Sequence, residues 1–194
     1  MEKMIEFNLK KIKIWIYMLC KHPVIFFKKT ITTNLLIKSR SNINNIDKIK
    51  EGNNVVLGYD TRINFFGDSR LYIGSGTYCC NRNSFLVGAD IKIGENVLLA
   101  SDICITSENH GINPESKKFY MNQDLVFSPV EIGDGCWIGE KAIILPGVKI
   151  GKKSIIGAGS IVTTSIPDYS IAVGNPAKVI KKYNVKEKQW EYVK

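Results

Sequence analysis

The chain is expected to be an all-β protein, a parallel β-helix, on three observations. First, six consecutive hexads run from Ile132: IGDGCW, IGEKAI, ILPGVK, IGKKSI, IGAGSI and VTTSIP. Second, an aliphatic residue opens each of them (Ile132, Ile138, Ile144, Ile150, Ile156, Val162). Glycine follows in four (Gly133, Gly139, Gly151, Gly157), and a small residue stands four places on at Cys136, Ala142, Ser154 and Ser160. Third, neither helical periodicity nor simple strand alternation spaces aliphatics by six. Short strands stacked coil upon coil do, each opening aliphatic pointing into a shared core.

The elements follow in chain order. Residues 1–50 form a basic N-terminal segment, with eleven Lys/Arg against three Asp/Glu, out of a formal net charge of +9. Lysines 10, 11, 13, 21, 28 and 29 are interleaved with Ile14, Trp15, Tyr17, Phe26 and Phe27, and His22–Pro23 marks a break. Two readings stand for residues 1–45. One is a pair of short helices capping the open end of the coils; the other is an amphipathic anchor in peripheral contact with an anionic membrane surface. The lysines leave no apolar run long enough for a bilayer span and no secretory leader, so the cytoplasm is expected.

Imperfect coils are expected from near Val55, and the repeat domain over 51–182. Between Ile105 and Ile132 lie 27 positions where a hexad needs six, so a loop over 111–129 should project from the coils. A tail over 183–194, a short helix or an extended end, carries Trp190 and Tyr192. The five cysteines (Cys20, Cys79, Cys80, Cys104, Cys136) show no disulfide or metal spacing and read as free thiols. Outside residues 1–50 the charge is close to balanced, and no nucleic-acid partner is expected.

Three hexads make one triangular coil, so residues eighteen apart should stack: Trp137 over Ile155, Gly139 over Gly157, Glu140 over Ala158. Glycine there could serve the coil corners alone or leave backbone open to an extended ligand.

From Trp137 to Lys182 the chain reads WIGEKAIILPGVKIGKKSIIGAGSIVTTSIPDYSIAVGNPAKVIKK. This resembles the C-terminal half of the hexapeptide-repeat acetyltransferases, nearest the galactoside, maltose and surface-polysaccharide O-acetyltransferases. The resemblance spans about residues 52–182. It implies a left-handed β-helix, a homotrimer, and acetyl-CoA held in a groove between neighbouring subunits, with a carbohydrate acceptor and no metal.

Residue by residue it implies more. His110, in a segment resembling GENVLLASDICITSENHG, matches the catalytic histidine; an imidazole titrates near neutrality and can take a hydroxyl proton. Asn83 aligns with an acceptor-binding asparagine, Asn81 is its alternative, and a corner asparagine bonding its own backbone is the structural reading of either. Trp137 either packs on coenzyme or acceptor or shields the coil edge. Gly139, Glu140, Ala158, Thr163 and Thr164 match the pantetheine groove, and Lys178 and Lys181 stand where relatives often carry phosphate-binding arginines. In the projecting loop, Lys117 with Lys118 could meet an acidic group, and Tyr120 with Phe119 could stack on a sugar ring; plain loop surface is the alternative. Glu108 is placed on the strand face opposite the imidazole.

Rival readings remain. A γ-type carbonic anhydrase needs three histidine ligands, and the chain has two histidines in all. An N-acetyltransferase on an amino sugar, an antibiotic acetyltransferase and a non-catalytic structural β-helix share the same repeats.

Overall fold

A computed structural model of the protein describes residues 35–193; of the helical cap or membrane anchor expected over residues 1–45, residues 1–34 lie outside them. Strands of two to five residues follow one another around three flat faces. The first face stacks Leu35–Ile37, Val55–Leu57, Tyr78–Cys79, Leu98–Leu99, Trp137–Ile138, Ile155–Ile156 and Ser170–Gly174. The second stacks Asn42–Ile43, Arg62–Phe65, Ser84–Val87, Cys104–Thr106, Ile143–Ile144 and Ile161–Val162. The third stacks Ile49–Glu51, Leu71–Ile73, Ile91–Ile93, Val130–Ile132 and Lys149–Ile150. Neighbours on a face pair in parallel, so the expected parallel β-helix is the architecture of the chain.

Alternation along each strand builds the core. On the second face Ile63, Phe85, Ile105, Ile144 and Val162 stack in register and are all fully buried. Each such side chain removed from water contributes roughly 1.5–3 kcal/mol. Their strand neighbours point outward and decide what each face can bind.

Edges are turned by residues in the left-handed region. Where the first face meets the second, Arg40, Asp60, Arg82, Asp102, Lys141 and Gly159 all have φ between 57° and 68°. That file alternates in charge. Arg40 grips Asp60, and Arg82 grips Asp102, each through two hydrogen bonds of 2.7 Å. The paired guanidinium holds each carboxyl below its ordinary value of 3.8.

The structure corrects three boundaries. The strand Leu35–Ile37 already pairs with Val55–Leu57, so residues 35–50 belong to the repeat domain and not to a separate cap. The early coils are longer: Leu35 pairs with Val55, Val56 with Tyr78 and Tyr78 with Leu98, steps of 20 and 22 residues that hide the hexad. The step of eighteen holds later, as expected, for Trp137 on Ile155 and Ile143 on Ile161. The tail takes the extended alternative and not the helical one, and it is not separate. Ser170–Gly174, Ala177–Asn184 and Gln189–Tyr192 form an antiparallel meander that extends the first face, with Trp190 edge-on to Tyr183.

The excursion leaves the coils at Ser107 and returns at Ser128, whose amide donates to the Ser107 carbonyl at 3.0 Å. Its base is an antiparallel pair, Glu108–His110 against Leu125–Phe127. The projecting segment therefore starts at Glu108 instead of Gly111. Cys79 and Cys136 are buried free thiols, Cys80 and Cys104 half-buried ones, and Cys20 lies outside the described residues.

Candidate functional site

The site takes shape around the outward side of the second face. Along the strand Arg62–Phe65, Ile63 and Phe65 turn inward, which leaves Arg62 and Asn64 facing out. In register above Arg62 stand Ser84, Cys104, Ile143 and Ile161. One end of this face is polar and the other is a smooth aliphatic surface.

The two edges of the face carry most of the residues expected to hold coenzyme. Asn81, Ser101 and Glu140 form one vertical file, because their carbonyls accept the amides of Asp102, Lys141 and Gly159 in successive coils, and Ala158, just before Gly159, continues it. Gly139 lies buried beside it. A Cβ there would come within 2.6 Å of the Ala158 amide nitrogen, so close stacking of coils explains this glycine. Thr163 and Thr164 are exposed on the opposite edge. The hairpin leaves from that same edge, where Gly147 N–H donates to the Ser128 carbonyl.

His110 is exposed on the hairpin, opposite Leu125, and its own amide donates to Asn109 Oδ1 at 2.9 Å. In a strand, residues two apart share a face. Glu108 therefore lies on the same side as His110, and the expectation that it faces away is wrong. On that side Glu108 packs against Gly88, just past the second-face strand Ser84–Val87. The half-buried Cys104 thiol on that face is raised by burial, with Arg62 drawing it down and Glu108 pushing it up. Gly88 makes the close approach possible, since a Cβ on it would meet the Phe127 ring and lie 2.6 Å from Glu108 Cβ.

Asn83 is corrected outright. It is fully buried, its Oδ1 accepts Ile103 N–H at 2.9 Å and its Nδ2 donates to the Cys80 carbonyl at 3.1 Å. A substrate cannot reach it, and the structural reading of the corner asparagine holds. Asn81 is half-exposed, with its Oδ1 accepting Tyr59 N–H at 3.0 Å.

Trp137 lies on a different face from His110. It is half-exposed on the first face in a column with Tyr78 and Leu98, all three 40–50% accessible. Lys178 and Lys181 sit on the C-terminal meander, Lys181 with its ammonium 4.3 Å from the Tyr192 ring centre. Lys117 and Tyr120 stand exposed on the excursion. Within one chain, then, His110, Glu108, Thr163, Thr164, Asn81, Glu140 and Ala158 surround one face, while Trp137, Lys178 and Lys181 belong to its neighbour.

Sequence reasoning missed two residues. Gln123 organises the excursion: its Oε1 accepts Asn113 N–H at 3.0 Å, and its Nε2 donates to the carbonyls of Asn113 at 2.9 Å and Lys118 at 3.2 Å. Arg62 was the other, and the alternation in Arg-Ile-Asn-Phe is a signal that would have placed it outward. A groove of about 360 Å³ lies elsewhere, on the third face among Lys92, Glu131, Asp134, Lys149, Lys152 and Asp168. Its charges are mutually engaged, with Lys149 2.9 Å from Glu131, and the hairpin does not reach it.

Comparison with known proteins agrees with this fold. The family described as bacterial transferase hexapeptide (six repeats) matches residues 129–164. WbbJ of Escherichia coli K12, assigned to lipopolysaccharide biosynthesis as an O-acetyl transferase, is 34% identical over 77% of this chain and 79% of its own length. Galactoside O-acetyltransferase of the same organism is 36% identical over 64% of this chain. The chain belongs to the hexapeptide-repeat acetyltransferase family. It aligns with 60% of the length of that galactoside enzyme. Among solved structures, the N-acyltransferase AntD from Bacillus cereus, in complex with dTDP and 3-hydroxybutyryl-CoA, superposes with a TM-score of 0.67 at 25% identity, over 83% of this chain and 89% of that one. A hexapeptide-repeat acetyltransferase from Vibrio cholerae, complexed with acetyl coenzyme A, gives 0.63 at 24% identity, over 71% and 72%.

Proposed function

We propose that the chain is an acetyl-CoA-dependent O-acetyltransferase acting on a sugar hydroxyl in bacterial surface-polysaccharide synthesis. The observation that carries this is that His110 lies on the hairpin that leaves the coils at Ser107, at the edge of the face that Ala158, Glu140, Thr163 and Thr164 flank. The aliphatic half of that face, Ile143 and Ile161, suits the pantetheine arm, and the polar half suits an acceptor. With coenzyme bound, a thioester supplies the acyl group. His110 then accepts the proton of the acceptor hydroxyl as its oxygen attacks the thioester carbonyl. It returns that proton to the departing coenzyme A thiolate.

Assembly into a homotrimer belongs to the same reading. The exposed column Tyr78, Leu98 and Trp137 is apolar surface that burial against a second copy would stabilise. A neighbouring first face laid against the second would bring Trp137 to the groove. Among the described residues no helix is long and apolar enough to cross a membrane; we place the enzyme in the cytoplasm, with peripheral membrane contact through residues 1–45 as the alternative to capping.

A second reading is favoured by the likeness to AntD: transfer to the amine of an amino sugar. Parallel assays with a hydroxyl sugar and its amino analogue separate the two. The reading as a whole is tested by His110→Ala, for which acetyl transfer should fall by about two to four orders of magnitude while coenzyme A still binds by calorimetry. Near-normal turnover in that variant removes His110 from the mechanism.

A further inference from the structure

Four arginines occur in the chain, and the structure uses them differently. Arg40 and Arg82 occupy edge positions, and each is locked by two 2.7 Å bonds to an aspartate of the next coil. Arg70 is exposed at an edge before the third face. Arg62 alone sits on a strand of the second face, exposed and pointing outward. No side-chain hydrogen bond or salt bridge engages its guanidinium among the described residues. Its neighbours in the next two coils are small, Ser84 and then Cys104, so the long side chain is free to lie along the face. Asn64 stands beside it on the same side.

Arg62 lies in register two coils below Cys104 and Glu108 on the hairpin that follows it, and the two act on the Cys104 thiol with opposite sign. Glu108 shares its strand side with His110. The face therefore has polarity, with a cationic end at Arg62 and an anionic rim at Glu108, on the strand that carries His110. A ligand with a negative group and a hydroxyl would be oriented by both. Its anion is drawn to Arg62 and repelled from Glu108, which leaves the hydroxyl at His110.

We propose that Arg62 is a specificity-determining residue that selects an acceptor sugar bearing an anionic group, a carboxylate or a phosphate, with Asn64 and Ser84 completing the subsite. This rests on the acetyl-transfer reading for the hydroxyl end of the site. A planar guanidinium holds either oxyanion by paired N–H donors, which a lysine cannot reproduce.

The test uses the full chain and three probes of one ring type: galactose, galacturonate and galactose 1-phosphate, with binding followed by saturation-transfer NMR and calorimetry. At least one anionic probe should bind about ten- to a hundred-fold tighter than galactose, and Arg62→Ala should abolish that difference. Arg62→Lys should keep part of it, and Arg70→Ala all of it. Preference for galacturonate alone identifies a carboxylate; preference for galactose 1-phosphate alone identifies a phosphorylated acceptor. Because the side chain has no partner to lose, the melting temperature of Arg62→Ala should match the parent and certify its fold. Equal binding of galactose, no binding of either anion, or an Arg62→Ala that still discriminates would overturn the proposal. His110→Ala provides the separation: it should bind the anion normally, so failure of acetyl transfer and failure of anion selection are read independently.

Discussion

Asn83 and Ile103 are tied across adjacent coils, the buried Oδ1 of one accepting the amide of the other at 2.9 Å. The same side chain donates to the Cys80 carbonyl, so both ends of its amide are used. Asn83→Ala leaves a buried N–H without a partner, which costs about 1–3 kcal/mol. The expected outcome is a lower urea midpoint with an unchanged slope. The acceptor KM of the remaining folded protein should stay at the parent value. A selective rise in that KM with normal stability would restore Asn83 to the substrate site.

The contrast between Asn83 and Asn81 marks how much the sequence discloses. Hexads from Ile132 onward carry the fold because the coils there step by eighteen residues, as from Trp137 to Ile155, until the last, which steps by sixteen from Ile155 to Ile171. Before Leu98 the coils take 20 or 22, since corners such as 66–70 hold extra residues, and aliphatic spacing alone gives no register. Side-chain direction at a corner is equally hidden: Asn81 and Asn83 differ by two positions, yet one edges the candidate site and the other is interior. His110 was singled out as the candidate base by its motif alone. The side it shares with Glu108 was legible, had the segment been taken as a strand; the antiparallel partner that makes it one, Leu125–Phe127, lies fifteen residues downstream of His110.

Gln123 closes the excursion on itself by bonding to Asn113 and Lys118. None of these contacts touches the coils, so Gln123→Ala should leave the global melting temperature close to that of the parent. Local opening should increase instead. Limited proteolysis is expected to cut within residues 112–122 faster, and the acceptor KM should rise more than the KM for acetyl-CoA. Unchanged cleavage would mean that the exposed chain around Phe119 is held by something other than Gln123.

Cys79 is buried in the core of the first face, and burial pushes its thiol up to about 12, from an ordinary value of 9.0. Its anionic form is thus disfavoured in the folded state and accessible in the unfolded one. Below pH 9 both states keep the proton and the group adds no pH dependence. As pH rises from 9 towards 12 only the unfolded chain loses it, and stability falls. Cys79→Ala should lower stability at neutral pH by loss of packing, yet flatten this alkaline decline. Denaturant titrations at several alkaline pH values compare the two slopes. Native thiol labelling should reach Cys80 well before Cys79, whose modification should track unfolding.

Gly88 tests whether the hairpin's seat on the coils matters to the chemistry. Its amide and that of Ala89 both donate to Ser107 Oγ, at 3.0 and 3.2 Å, so the backbone is pinned directly beneath the point where the excursion departs. A methyl group added there would press on the Phe127 ring and on Glu108 Cβ, at 2.6 Å from the latter. The ring can rotate, but Glu108 Cβ is fixed to the strand that carries His110, so relief requires the hairpin to tilt away from the second face. The coils themselves need not move. Gly88→Ala is therefore expected to lower kcat at least about tenfold, since misplacing a base by an ångström costs that much or more. Its melting temperature should drop only modestly, and coenzyme A should bind with parental affinity because Ala158, Thr163 and Thr164 are untouched. A variant with full activity would show that His110 works equally well with the hairpin displaced. One with no coenzyme binding would show that the groove extends to this edge.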